Sequence, residues 1–479
     1  MPEAVILEAV RTPFGRRGGA LREVRPDSLL AHTLKGLVAR AGIDPGKIED
    51  VVDGTVTLAG EQAANPGRLG VLLAGFPVKI PGVSLNRMCG SSQQAVHFAA
   101  QAVAAGDMDY AVGCGVESMT RTPMFLDISL GREGVSGFDT LNPELFRMHE
   151  IIHQGESAER VAEKWGITRD HVDDFSSRSH HRAHRAQQGG WNRELLPVTG
   201  VSPDAEPMVL ERDEGVRGVL DEQKMRSLKT VFRPAGNGVV TAGNASQISD
   251  GASAVLVANA DVARADGFRP RARFRARVVV GSDPTLQLTG VIPATTLALR
   301  KAGLSLRDID WFEINEAFAC VPLAWMRELD IDPERVNPWG GAIAHGHPLG
   351  DGPEFGCHAP VHGRCKTVGQ GRAPDAARQA AKDQTRAAVI LQTDQDSSAF
   401  RTPPAKAARC WQGEAAGCGS AVDVAQCAFG GRDRQKLRVG AGNEEEDEEM
   451  FHDFMVTIFR HRKYCSTGAL LPRWRRYSG

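Results

Sequence analysis

Val83-Ser84-Leu85-Asn86-Arg87-Met88-Cys89-Gly90-Ser91-Ser92 is the stretch on which the reading of the fold turns. Its apolar start reads as a strand, and from about Ser91 to a stop at Gly106 the pattern is that of a helix. Tyr110-Ala111-Val112-Gly113 then reads as a second strand, so the segment makes one βαβ unit of about 30 residues. Cys89 stands at the junction of strand and helix. A thiol there faces unsatisfied backbone N–H groups and the positive end of the helix dipole, which favour the thiolate. Gly90 beside it lets another group approach closely. A cysteine at a strand end is also a common small core residue, and this stretch alone leaves both readings open.

Working outward, the same rhythm continues. Val5-Ile6-Leu7 reads as a short buried strand. Leu30, Leu34, Leu37, Val38 and Ala41 share one helical face, started by Pro26-Asp27-Ser28 and stopped by Gly42; Val51-Val52 is the next strand. Alternation of this kind predicts a largely parallel sheet with helices packed on it. An internal repeat supports two similar halves. Ala41-Gly42-Ile43, Ile48 and Val51 recur at Ala302-Gly303-Leu304, Ile309 and Phe312, every position offset by 261. Between the copies, residues 120 to 238 are polar and rich in His and Arg, as expected of an insertion with a small fold of its own. Its helices are expected over Ala158 to Trp165 and Asp174 to Ala186. The basic run Arg178-Ser179-His180-His181-Arg182-Ala183-His184-Arg185 reads as a solvated helix face.

Composition bounds the function. The 479 residues are 42% hydrophobic and 24% charged, enough for a sizeable core, with a net charge of −2. A chain that binds nucleic acid through phosphates would carry a basic excess, and none exists. No run of about 18 apolar residues is present, so no membrane-spanning helix is expected. Met1 to Glu8 lacks a basic flank and does not read as a signal peptide. The nine cysteines then read as reduced thiols in a cytoplasmic α/β protein.

Two further clusters bear on chemistry. Asn315-Glu316-Ala317-Phe318 follows the strand Trp311-Phe312-Glu313-Ile314, at the end where parallel-sheet sites gather. Gly340-Gly341-Ala342-Ile343-Ala344-His345-Gly346-His347-Pro348-Leu349-Gly350 is a glycine-rich loop with two histidines, one of which could take a proton from the cysteine. Cysteine, asparagine and histidine at strand ends together suggest acyl transfer through a thioester.

Residues 1 to 350 resemble the thiolase family, the acetyl-CoA acetyltransferases and 3-ketoacyl-CoA thiolases. Five segments match in family order: Arg11-Thr12-Pro13-Phe14-Gly15, the Cys89 stretch, Thr241-Ala242-Gly243-Asn244-Ala245-Ser246, Asn315-Glu316-Ala317-Phe318, and Gly341 to Gly350. The resemblance implies a layered αβαβα fold of two similar halves with an inserted loop domain. The chain then divides into an N-terminal half, 1–119, completed by 239–268; the loop domain, 120–238; and a C-terminal half, 269–350. It further implies that Cys89 becomes acylated, that His347 activates it, and that Asn315, with a water, polarises the thioester oxygen. Ser246 and His153 match positions near coenzyme A, although Gln154 stands where the family commonly has methionine. Coenzyme A and acyl-CoA would be substrates, with no metal, no permanently bound cofactor, and a homodimer or homotetramer as the assembly.

The resemblance departs after Gly350. Residues 351–479 form an atypical tail that holds six of the nine cysteines and only 19 Leu, Ile, Val and Phe residues, a composition typical of disordered chain. The family's C-terminal Cys-x-Gly, whose cysteine moves the proton at the acetyl α-carbon, has no counterpart there. A reading-frame shift near codon 351 would produce this change, and the C-terminal half is expected to lose core strands and expose apolar edges. Cys357, His358, His362 and Cys365 are too closely spaced for an ordinary zinc motif. The expected activity is thiolysis of 3-ketoacyl-CoA or Claisen condensation of acyl-CoA; the alternative is a catalytically impaired, thiolase-like protein that binds acyl-CoA or a partner subunit.

Overall fold

The computed structural model describes residues 1–129 and 140–350, together with the backbone of 379–381 and 387–393. The tail's cysteines and the Cys357–Cys365 group lie outside the described residues. Nine strands form one path: β1 (Ala4–Arg11), β2 (Asp50–Gly54), β3 (Gly82–Leu85), β4 (Tyr110–Ser118), β5 (Ser249–Asn259), β6 (Ala272–Val279), β7 (Phe312–Ile314), β8 (Gln379–Ala381) and β9 (Ala387–Thr393). Their spatial order is β7-β8-β9-β6-β1-β5-β4-β2-β3.

Strand β1 shows how sequence sets the layers. It is buried throughout and pairs antiparallel with β5, with a register shift between Ile6 and Glu8. Before the shift Val5 and Leu7 face one side and Ala4 and Ile6 the other; after it Val10 joins the first set and Ala9 the second. A bulge adds one residue and so reverses the alternation, so that apolar side chains fill both faces before and after Glu8. Helix α1 (Pro26–Ala41) covers the first face with Leu29, Leu30, Leu34 and Leu37. Helix α2 (Ser91–Ala105) covers the second with Val96, Ala99, Ala100 and Val103.

The offset repeat is structural. Helix α1 stops at Gly42 and the helix Val291–Ala302 stops at Gly303, both glycines at φ 68°. Each is followed by a single 3₁₀ turn, Pro45–Lys47 or Leu306–Asp308, that feeds the strand β2 or β7. A left-handed residue ends a helix at no steric cost only when it is glycine.

Three expectations need correction. The sheet is mixed rather than largely parallel: β2 pairs parallel with β3 and β4, and β7 with β8, whereas β1, β5, β6 and β9 meet their neighbours antiparallel. The chain reaches β5 only after the long stretch between Ser118 and Ser249, so β5 need not obey the right-handed crossover that makes sequential strands parallel. Nor is the C-terminal half left without strands. β9 pairs with β6 and β8 pairs with β7, so short apolar runs beyond Gly350 fill the open edges.

The third correction concerns the basic run. It lies on the helix Arg169–Gln188, where Ser179, His180, Arg182 and Ala183 are buried. Arg182 donates to the carbonyls of Pro333 and Val336 and pairs with Glu334. The run is thus a docking edge, because arginine can bury its stem while its head satisfies loop carbonyls. The helix Gln154–Lys164 buries Ala158 and Val161, and the helix Arg169–Gln188 buries Phe175, all in the cluster that holds Val278, Phe312 and Trp325.

Trp325 anchors that cluster: it is fully buried, stands edge-on to Phe312 at 5.3 Å, and its indole N–H donates to Thr295 Oγ1 at 3.0 Å. Trp325→Ala is expected to cost about 3–5 kcal/mol of stability in denaturant titration. The exposed Val209→Ala is expected to stay within about 0.5 kcal/mol.

Candidate active site

Cys89 is buried at the turn between β3 and α2. The turn is tied by its own sequence. Asn86 Oδ1 accepts from the Met88 N–H at 2.8 Å, and Asn86 Nδ2 donates to the Val56 carbonyl at 2.9 Å. Ser91 Oγ accepts from the Arg87 N–H at 2.9 Å and donates to the Met88 carbonyl at 2.6 Å. Met88 is held at φ 50°, a conformation that costs a non-glycine residue about 1 kcal/mol or more. Strain beside a buried thiol, with a helix N-terminus immediately after it, is a common setting for a nucleophile.

Asn315 and His347 come together. Asn315 follows β7 and His347 sits in the glycine-rich loop; both are buried, with Asn315 Nδ2 3.4 Å from His347 Nε2. Asn315 Oδ1 is buried and has no hydrogen-bond partner among the described residues. The His347 N–H is shared between the Gln247 carbonyl at 3.1 Å and Ser249 Oγ at 3.2 Å. At the loop's end the Gly350 carbonyl accepts from the Ser92 N–H in the first turn of α2, at 3.0 Å. His347 and Cys89 each lie three residues before that bond, so the loop carrying the imidazole is docked on the helix that follows the thiol.

The remaining sequence candidates are linked to the segment that follows Asn315, Ser246 directly and His153 through Phe232. Ser246 donates its N–H to the Ala317 carbonyl at 3.0 Å, alongside a bridge between Ala245 and Phe318. His153 caps the helix Gln154–Lys164, its Nδ1 accepting from the Gly155 N–H at 3.0 Å. It stacks on Phe232 at 5.1 Å, and Phe232 stands edge-on to Phe318 at 6.1 Å. Burial pushes the His153 imidazole down to about 4, so near neutral pH it offers a flat ring rather than a positive charge.

Several residues that hold the loop were not singled out from sequence. Glu316, next to Asn315, accepts from Ser179 Oγ at 2.6 Å, Asn337 Nδ2 at 2.8 Å and the Ile343 N–H at 3.1 Å. Gln247 Nε2 donates to the carbonyls of Ile343 and Ala344. Asp213, from the insertion, lies 2.8 Å from His345 Nδ1 and accepts two bonds from the Arg11 guanidinium, at 2.5 and 2.9 Å. His345 Nε2 donates to the Trp339 carbonyl at 2.9 Å. Arg11 also meets Glu194 at 3.2 Å. Burial would push the Asp213 carboxyl up, but the Arg11 charge and His345 outweigh it and hold it well below the usual carboxylate range. Arg11 and His345 stood inside recognised segments; Asp213 carried no local signal.

Arg11 is fully buried, so Arg11→Met leaves two buried carboxylates without their shared cation. The loss is expected to be about 3–5 kcal/mol near pH 7. Asp213 titrates below its ordinary value of 3.8 in the wild type. Its contribution is therefore present above that pH and lost as the pH falls from there toward its folded value. The gap between variant and wild type, read by denaturant titration, is expected to narrow from pH 5 to pH 3; a constant gap contradicts the assignment.

Comparison with known proteins gives concordant matches. The family model for the thiolase N-terminal domain matches residues 4–261, and that for the thiolase C-terminal domain matches 268–362. A steroid 3-ketoacyl-CoA thiolase of Mycobacterium tuberculosis is 43% identical over 356 residues, covering 73% of this chain and 85% of that protein. A 3-oxoadipyl-CoA/3-oxo-5,6-dehydrosuberyl-CoA thiolase of Escherichia coli is 42% identical over 362 residues, covering 73% and 90%. Among solved structures, the Bacillus anthracis acetyl-CoA acetyltransferase superposes with a TM-score of 0.71 at 31% identity, covering 82% of this chain and 99% of that one. Human mitochondrial 3-ketoacyl-CoA thiolase gives 0.69 at 29% identity, with the same coverage.

Proposed function

This chain belongs to the thiolase family of acyl-CoA C-acyltransferases, and from that premise we propose that it cleaves 3-ketoacyl-CoA with coenzyme A through a thioester on Cys89. His347 takes the thiol proton and Cys89 Sγ attacks the C3 carbonyl. The C2–C3 bond then breaks, C2 takes a proton from solvent while His347 gives its proton up to solvent, acetyl-CoA leaves, and the remaining acyl group stays on sulfur. The thiol of coenzyme A attacks that thioester, forms acyl-CoA and returns the proton to Cys89. Condensation is the same sequence reversed.

The observation that carries this reading is the Gly350–Ser92 hydrogen bond, which docks the His347 loop on the helix that begins just after Cys89. Asn315 supports it: the Nδ2 end of its amide faces His347, and the Oδ1 end is open to accept from a water, whose other O–H then donates to the oxyanion. Ser246 and His153 belong to the coenzyme A side of the site, with His153 stacking as a neutral ring. Coenzyme A and acyl-CoA act as substrates with no resident cofactor, in a cytoplasmic homo-oligomer.

A second reading rests on one sequence observation, the lack of a Cys-x-Gly after residue 350. Without that group the proton at C2 has no positioned donor, a deficit of roughly 10²–10⁴-fold in rate. On this reading the protein binds acyl-CoA and accumulates as the acyl-enzyme.

Acetoacetyl-CoA thiolysis with free coenzyme A tests the assignment. Cys89→Ala is expected to abolish turnover. Asn315→Ala is expected to lower kcat about 10²–10³-fold with KM within a few-fold, the usual effect of removing one oxyanion donor. Undiminished turnover in Cys89→Ala contradicts the mechanism.

A further inference from the structure

Glu117 lies next to the end of β4 and is wholly buried. Four donors converge on its carboxylate. The N–H groups of Val56 and Gly350 reach Oε2 at 2.8 and 2.9 Å, while the Thr57 N–H and the Gln62 side-chain amide reach Oε1 at 3.1 and 2.7 Å. Burial pushes the carboxyl up and the four donors pull it back. An ionised carboxylate accepts four such bonds and donates none. A glutamine in its place would turn an NH₂ against two of the four donors.

Gly350 is gripped from both sides. Its N–H goes to Glu117 and its carbonyl to the Ser92 N–H of α2. A Cβ there would stand 2.7 Å from both Glu117 Oε2 and Thr55 Cα, and 2.8 Å from the Gly54 carbonyl, so no side chain fits. This peptide ties the glycine-rich loop to the first turn of the helix that follows Cys89.

We propose that Glu117 is a positioning residue for acyl transfer, pinning the Gly350 peptide so that the His347 imidazole is held against the Cys89 thiol. The inference rests on the thioester reading above. Its carboxylate is occupied by the Val56, Thr57, Gln62 and Gly350 donors, and it acts through the last of these.

The test uses the full chain. Cys89 acylation by acetoacetyl-CoA is followed by rapid quench and peptide mass mapping, alongside steady-state thiolysis and thermal unfolding, in wild type, Glu117→Gln, Gly350→Ala and the double variant. Glu117→Gln is expected to slow acylation at least about 30-fold with KM within about 3-fold, by analogy with the large rate losses that follow small misplacements of catalytic groups. Gly350→Ala displaces the same peptide by setting a Cβ against Glu117 Oε2, Thr55 Cα and the Gly54 carbonyl, and is expected to give a comparable loss. The double variant is expected to be no slower than the worse single one, because both break one contact. Normal acylation in folded Glu117→Gln overturns the inference, as does a lower melting temperature with unchanged kcat. If Glu117→Gln fails to fold, Gly350→Ala decides: retained acylation overturns the inference and slowed acylation with unchanged KM supports it. A wild type that never acylates Cys89 overturns the thioester reading itself, and this inference with it.

Discussion

The site depends on satisfying the backbone of one buried loop. Between Gly340 and Gly350 the chain runs through the interior with only a single helical turn, Ala342–His345, so most of its peptide groups find no partner within the loop. Other segments supply what is missing. Glu316 takes the Ile343 N–H, Gln247 serves the carbonyls of Ile343 and Ala344, and Glu117 takes the Gly350 N–H. Asp213 holds the His345 ring. These residues come from the end of β7, the approach to β5, the end of β4 and the insertion. The glycine-rich loop is therefore where separate parts of the chain are forced to agree, and His347 inherits its place from that agreement.

The buried carboxylates do not contribute alike. Asp213 shares Arg11 with Glu194 and titrates low, so its ionised form favours the fold above its ordinary pKa. For Glu117 and Glu316 burial outweighs the surrounding donors and the carboxyls are pushed up. A raised group makes the fold less stable as pH rises from its unfolded value through its folded one. These two charges thus cost stability where Asp213 adds it. Natural proteins accept such costs mainly where a backbone has to be held in one geometry, as beside Cys89 and His347.

Much of this was legible in the sequence, for local reasons. Leu30, Leu34 and Leu37 with Gly42 specify α1 and its stop without reference to the rest of the chain, and the offset repeat carries the same logic to Gly303. Cys89, Asn315 and His347 stand in short segments whose resemblance to the thiolases is specific, and Asn315 and His347 prove to be neighbours. What escaped is non-local. Strand direction depends on where β5 returns after the insertion, and the charge run on the helix Arg169–Gln188 is a docking edge only because residues 333 to 336 lie against it. Asp213 is one acidic residue among 59, and nothing within a few positions of it announces Arg11, 202 residues away. β8 and β9 were missed because they are short apolar runs in a segment of low overall hydrophobicity, recruited by edges the sequence does not display.

The central claim is that Cys89, activated by a loop anchored on its own helix, carries the acyl group. The most direct measurement mixes the protein with acetoacetyl-CoA in the absence of free coenzyme A, quenches in acid and maps the mass adduct by peptide. The account predicts one acetyl group per chain, on the peptide containing Cys89. An unmodified Cys89 in folded protein, or an acetyl group on Cys114 or Cys320 instead, would contradict it.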